Sequence, residues 1–112
     1  EVIQGGVNPE RQGELGPPIP LERTSETGLH HGDGAISMAR LTPDSAVADF
    51  FICIGDQPDL DFGGRRNPDG QGFAAFGYVT SGMEVVRAIQ ASPADGQSLD
   101  PPIEITRITR LA

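Results

Sequence analysis

The sequence is poor in basic residues and in long apolar runs, and each shortage argues against a class of protein. It has 8 basic against 16 acidic residues and a formal net charge of −8. This balance argues against nucleic acid or an anionic membrane surface as the partner, because either would attract clustered Lys and Arg. No apolar run approaches the ~18 residues of a membrane span. We therefore expect a soluble protein without a membrane-spanning segment.

Cysteine and histidine are also scarce. The single cysteine, Cys53, cannot form an intramolecular disulfide, and its position inside an apolar run predicts a buried, inert thiol. The only histidines, His30 and His31, lie close to Asp33 and raise the question of a metal site. Zinc sites need three or four ligands, and neighbours in an extended loop do not converge on one ion. We predict no bound metal.

Glycine and proline are abundant, with 15 and 10 residues. Many turns and short elements follow, which favours a β-rich fold over a helix bundle. At 112 residues the chain is one domain at most. It opens on what reads as the end of a strand, so we expect the domain, residues 1–112, to be incomplete at its N-terminus.

The chain is organised around the run DFFICIG at 49–55. Its consecutive aromatic and β-branched residues predict a strand with both faces buried. Phe50 is expected in the core, whereas Phe51, on the other face, is expected to be partly exposed and either packed against another element or lining a pocket. Further antiparallel strands are predicted at 2–4, 35–40, 73–79 and 103–108. A helix is predicted at about 82–91, with Ser81 and Glu84 forming a capping box.

Several short motifs occur along the chain. SMA at 37–39 and FFI at 50–52 flank one loop. QGG at 4–6, LD at 60–61, FG at 76–77 and GMEVV at 82–86 lie before and after them. In these motifs and in their order the chain resembles the cyclophilin-type peptidyl-prolyl isomerases, and the resemblance covers nearly the whole chain.

The resemblance implies a mainly β fold, a closed antiparallel eight-stranded barrel with capping helices. This chain resembles the portion from the third strand to the C-terminus. The family's opening strands, first helix and catalytic arginine would then precede Glu1, so we expect residues 1–112 alone to be a poor catalyst.

The resemblance also implies a site. Gln4, which would orient the missing arginine, and Phe51 are the expected catalytic residues. The expected substrate-binding residues are Val2, Ala39, Arg40, Asp49, Leu60 and Phe73. Val2, Phe51, Leu60 and Phe73 would form the proline pocket, and Arg40 would contribute its backbone. No cofactor is implied.

The chain departs from the family pattern at informative positions. The family often has Trp where Asp59 stands, which argues against cyclosporin binding. Arg40 instead of Asn, Phe73 instead of His and an insertion at 63–72 resemble bacterial members. We therefore expect a bacterial protein of the cytoplasm or the periplasm.

The expected activity is acceleration of X-Pro bond rotation in polypeptides that contain proline, by a monomer with no nucleic-acid or membrane partner. One alternative is a module that binds proline segments without catalysis. A second is a small hydrolase using two carboxylates, which requires two of the loop aspartates to converge. These aspartates are Asp44, Asp49, Asp56, Asp59 and Asp61.

Overall fold

The computed structural model describes residues 1–6 and 8–111 and is mainly β, with antiparallel sheets. Its main sheet has four strands in the order β1-β3-β2-β4. Their bounds are Val2–Gly5 (β1), Ala35–Met38 (β2), Phe50–Cys53 (β3) and Ala75–Tyr78 (β4). The four strands predicted in this part of the chain are confirmed, with shorter bounds for the last three.

Strand β3 occupies the interior of the sheet, between β1 and β2. Phe51 lies opposite Gln4 of β1 and opposite Ser37 of β2. Its side chains point to the two faces of the sheet, Phe51 and Cys53 to the buried face and Phe50 and Ile52 to a face that is partly buried. The sheet thereby brings residues 2–5 and 35–38 to the two sides of Phe51.

The burial expected for the two phenylalanines of β3 was wrong. Phe51 is only 4% exposed and belongs to the core cluster with Ala35, Cys53 and Leu60. Phe50, on the opposite face, is only partly buried. The cause is the loop at 58–73, which follows β3 in the sequence and folds back over it. Leu60 and Phe73 of this loop pack on the Phe51 face of β3 and leave the Phe50 face less covered.

Within residues 1–6 and 8–111, two α-helices lie outside the sheet, α1 at Thr24–Thr27 and α2 at Met83–Gln90. Helix α2 confirms the prediction and buries Val86. The predicted capping box is wrong, because the N-cap is Gly82, at φ 100°, and no side chain caps the helix. Glycine adopts this left-handed backbone conformation without the steric penalty that a Cβ atom would bring.

Shorter elements lie between these strands and after helix α2. 3₁₀ turns span Pro9–Glu14 and Pro58–Leu60. A small hairpin pairs β5 (Ala94–Asp95) with β6 (Ser98–Leu99).

The strand predicted at 103–108 is not formed. Residues 101–111 carry no strand pairing and are exposed, with Ile103, Ile105 and Ile108 at 47%, 50% and 79%. Alternating apolar residues form a strand only where a sheet edge accepts their backbone hydrogen bonds, and here no such pairing is made. Among the described residues, no helix is long and apolar enough to cross a membrane.

Candidate functional site

A cavity of about 520 Å³ opens beside β3. Its walls come from β1, from the 3₁₀ turn at Pro9–Glu14 and the residue after it, from the segment that joins β2 to β3, from β3 itself and from the loop after β3. Every residue expected at the site lines it, namely Val2, Gln4, Ala39, Arg40, Asp49, Phe51, Leu60 and Phe73. The structure thus brings together residues up to 71 positions apart in sequence, whose individual roles stay predictions.

The wall of the cavity is apolar. Phe51 and Leu60 belong to the buried core, and Val2, Ala39 and Phe73 pack against it. The Phe51 and Phe73 rings meet edge to face, with centroids 5.5 Å apart and planes at 89°. Such a concave apolar surface with a few polar groups at its rim suits a small apolar ring.

The loop at 58–73 turns back on itself to deliver two of these residues. The Phe73 N–H donates to the Leu60 carbonyl at 2.9 Å, which joins the two ends of the loop. Gly72, at φ 72°, makes this closure possible: a Cβ there would lie 2.6 Å from the Asp61 carbonyl carbon and the Phe62 nitrogen. The loop is therefore a packed wall of the cavity, and its glycines permit close backbone contact.

The side chain of Arg40 is held in place above this wall. Its guanidinium donates to both carboxylate oxygens of Asp69, at 2.8 and 3.0 Å, and to the Gly72 carbonyl at 2.9 and 2.5 Å. It also lies 4.8 Å from the centroid of the Phe73 ring. The Arg40 hydrogen bond lowers the pKa of the Asp69 carboxyl. The side chain thus fixes the loop, in addition to the backbone role expected from the sequence.

Other residues that line the cavity were not anticipated. Arg66 lines the cavity as a second basic residue besides Arg40. Arg66 is exposed, and its guanidinium has no hydrogen-bond or ion-pair partner within residues 1–6 and 8–111. No sequence motif marks this position, which lies in the segment 63–72 that the resemblance treats as an insertion. The remaining unanticipated lining residues are Gln12, Leu15, Leu41, Ser45, Val47 and Ala48.

His31 is buried behind the wall, at 2% exposure, although it was expected in an extended loop. Its Nδ1 lies 2.7 Å from Asp61 Oδ1, and its Nε2 lies 2.8 Å from Ser37 Oγ. Because an ionised carboxylate only accepts, Nδ1 carries a proton, and in the neutral imidazole Nε2 is then the acceptor for the Ser37 hydroxyl. His30 also approaches Asp61, with Nδ1 3.6 Å from Oδ2. In the described part of the chain, no group of three or more residues could hold a metal ion.

The serine, histidine and aspartate of this cluster have the connectivity of a hydrolytic triad. The serine is nevertheless unreachable, because Ser37 is 0% exposed. The two-carboxylate hydrolase is not supported at the cavity either. Of the five aspartates considered for it, Asp49 alone is among the lining residues.

Cys53 is a free cysteine that is fully buried in the same core. Burial raises the pKa of its thiol to about 11. The thiolate is the reactive form of cysteine, so this side chain is a packing residue and not a nucleophile.

Comparison with known proteins finds one family. A family model described as "Cyclophilin type peptidyl-prolyl cis-trans isomerase/CLD" matches residues 1–110. The chain is 34% identical over 106 residues to peptidyl-prolyl cis-trans isomerase B of Escherichia coli, covering 92% of this chain and 64% of that protein. It is 40% identical over 91 residues to peptidyl-prolyl cis-trans isomerase A of Dickeya dadantii, covering 79% of this chain and 45% of that protein.

A third relative is peptidyl-prolyl cis-trans isomerase cyp18 of Streptomyces antibioticus, 37% identical over 87 residues, which are 77% of this chain and 51% of that protein. The chain thus spans about half the length of the curated relatives it matches.

Proposed function

The chain belongs to the cyclophilin-type peptidyl-prolyl cis-trans isomerase family, and from this premise we propose that it forms the proline-binding part of an enzyme that accelerates rotation about X-Pro bonds in polypeptides. The observation that carries the proposal is that the expected site residues, drawn from four segments of the chain, line one cavity. Residues 1–112 are proposed to belong to a single domain.

Catalysis of this rotation requires that the peptide be bound and oriented, and it requires no nucleophile. Rotation is slow because the nitrogen lone pair is delocalised into the carbonyl, with a barrier of ~18–20 kcal/mol. A catalyst holds the proline ring, fixes the flanking backbone and donates a hydrogen bond to the nitrogen as its lone pair localises. In our proposal the apolar wall of Phe51, Leu60 and Phe73 receives the ring. The backbone beside Arg40 pairs with the peptide, and Gln4 orients the donor.

The donor itself is proposed to lie outside residues 1–112, in accord with the family pattern. Arg40 is unsuited to the task, because its guanidinium is already bound to Asp69 and to the Gly72 carbonyl. Arg66 is the competing candidate. Removing a preorganised donor costs ~10²–10³ in rate, so Arg66→Gln in the full-length protein is expected to leave kcat nearly unchanged. A fall of that size would move the donor role to Arg66.

We further propose that the whole protein closes the sheet into the eight-stranded antiparallel barrel. Within the described residues, β1 and β4 are edge strands of the sheet. The β4 residues Phe76 and Tyr78 are 58% and 70% exposed. Ile105 already lies close to β1, because a Cβ on Gly5 would be 3.4 Å from Ile105 Cδ1. Barrel closure would pair such edges and cover such side chains.

The alternative is a module that binds proline segments without isomerising them. Magnetisation-exchange NMR on a peptide with a central Ala-Pro bond separates the two, with the full-length protein as catalyst. We expect exchange cross-peaks between the cis and trans signals at substoichiometric protein. Chemical-shift changes at the cavity residues without exchange cross-peaks would favour the binding module. Absence of both would refute the proposal.

A further inference from the structure

We propose that His31 is the positioning residue of the proline pocket: its buried ring fixes the Phe51 ring and the turn that carries Leu60, so that the wall has its shape before a peptide binds. This inference rests on the proposed function of the cavity. His31 itself does not line the cavity, so its action is indirect, through the residues that do.

The first support is the contact between rings. The His31 and Phe51 rings stack with centroids 5.9 Å apart and planes at 15°. Phe51 in turn meets the edge of Phe73. The three rings thus form a continuous layer from the interior to the cavity, and a displaced imidazole would displace the face that the proline ring touches.

The second support is the set of hydrogen bonds that tie His31 to separate parts of the wall. Nε2 is hydrogen-bonded to the hydroxyl of Ser37, which lies opposite Phe51 in the sheet. Nδ1 and the backbone N–H both donate to Asp61 Oδ1, at 2.7 and 2.9 Å. Asp61 directly follows Leu60. The His31 carbonyl accepts from the Gln57 N–H at 2.7 Å, at the start of the same turn. One residue therefore fixes the spacing between β2, β3 and the Leu60 turn.

The third support is the polarity of the buried side chain, because an apolar residue of similar size would fill the same space. The histidine side chain is 0% exposed, and burying its polar ring is favourable only because both nitrogens are bonded. A leucine would fill similar space but would leave the Ser37 hydroxyl, at 0% exposure, without its partner. Bonds from a planar ring specify an orientation, which aliphatic contacts do not.

The consequence concerns binding more than the rotation step. The wall touches the proline ring in both isomers, so its contacts are uniform between ground and transition state and act on KM. A preformed wall also lowers the ordering cost of binding. We expect His31→Leu to weaken the affinity for an Ala-Pro peptide about tenfold, with kcat changed less than about twofold. His31→Asn, whose amide can replace the Nδ1 bond to Asp61, is expected to recover part of that loss.

The test uses the full-length protein, with Val86→Ala as a matched control for loss of stability. Val86 is buried in α2 and does not line the cavity. Each variant is assayed where circular dichroism shows it fully folded. Peptide Kd, kcat and KM are measured, together with the aromatic NMR signals of Phe51 and Phe73 in the ligand-free protein. The expected result is weaker binding and shifted or broadened Phe51 signals in the His31 variants, with neither change in Val86→Ala.

Three results would overturn the inference: unchanged Phe51 signals and unchanged Kd in His31→Asn, an equal loss of affinity in Val86→Ala, or a fall in kcat at constant KM. If His31→Leu does not fold, the Kd and the Phe51 signals of His31→Asn alone test the inference. If the wild-type protein binds no proline peptide, the proposed function fails. The Phe51 signals of the ligand-free variants then still test whether His31 positions the ring.

Discussion

The guanidinium of Arg40 and the carboxylate of Asp69 form a bidentate pair, Nη1 to Oδ2 at 2.8 Å and Nη2 to Oδ1 at 3.0 Å. The arginine side chain is 1% exposed and the aspartate 29%, so a nearly buried cation is held by a carboxylate that still reaches solvent. This pair anchors the loop that supplies Phe73 to the cavity, and it makes the anchoring sensitive to acid.

The first prediction is a loss of stability at low pH that depends on Asp69. Because the Arg40 hydrogen bond lowers the pKa of Asp69 in the folded state, the pair stabilises the fold above the unfolded-state value of ~3.9. That contribution is lost as the pH falls through the folded-state pKa. Urea unfolding of the wild type and of Asp69→Asn between pH 7 and pH 3 is the measurement. The difference between the two proteins is expected to shrink as the pH falls, and a constant difference would contradict the prediction.

The second prediction separates backbone conformation from close contact in the same loop. Gly70 and Gly72 both have positive φ, 67° and 72°, but only at Gly72 would a Cβ collide with backbone. Gly70→Ala is expected to cost ~1–2 kcal/mol, the ordinary penalty of a left-handed alanine. Gly72→Ala is expected to cost more and also to weaken peptide binding, because it displaces the carbonyl that binds Arg40. Equal unfolding free energies for the two variants would argue against a packed loop.

The third prediction concerns the start of α2. Gly82→Ala is expected to destabilise the protein by ~1–2 kcal/mol, because Gly82 has φ 100° and a Cβ there meets no atom within 4 Å that could stabilise it. Ser81→Ala is expected to change the unfolding free energy by less than ~0.5 kcal/mol, since no side chain caps the helix. A larger loss for Ser81→Ala than for Gly82→Ala would restore the capping box suggested by the sequence.

The fourth prediction is that Cys53 resists modification. With a pKa of about 11, roughly a thousandth of the thiol is ionised at pH 8, and it is also shielded by the core. A disulfide reagent is expected to react slowly with the native protein and rapidly in urea. Because the folded-state pKa is raised, this residue also contributes stability that is lost as the pH rises above ~8.5. Rapid labelling without denaturant would place Cys53 at the surface.

The sequence predicted the four strands of the main sheet and helix α2, because their apolar periodicity and turn residues are local properties. It also predicted the residues that meet at the cavity, through short motifs whose order is specific. The face of β3 that would be more buried was not predictable, since both faces are apolar and the loop at 58–73 decides between them. Residues 103–108 alternate as a strand does, but whether a strand forms depends on a pairing edge that periodicity does not report.

His31 and Arg66 show the limit of reading side chains in sequence alone. His31 was weighed only as a metal ligand, because its partners Ser37 and Asp61 lie 6 and 30 residues away and no spacing rule links them. Arg66 lies in an insertion with no motif. Both positions depend on how the loop folds back over β3.

The loop at 58–73, which binds the Arg40 side chain, also affects the stage of folding at which the cavity forms. The contacts that define it join residues 29, 30, 32 and 48 positions apart: Arg40 with Asp69, His31 with Asp61, Arg40 with Gly72, and Arg23 with Gln71. Such non-local contacts form late, because the chain must first close long loops. An unfolded copy of this chain therefore lacks the cavity, and under the proposed function it gains the ability to hold a proline ring only after these long loops have closed.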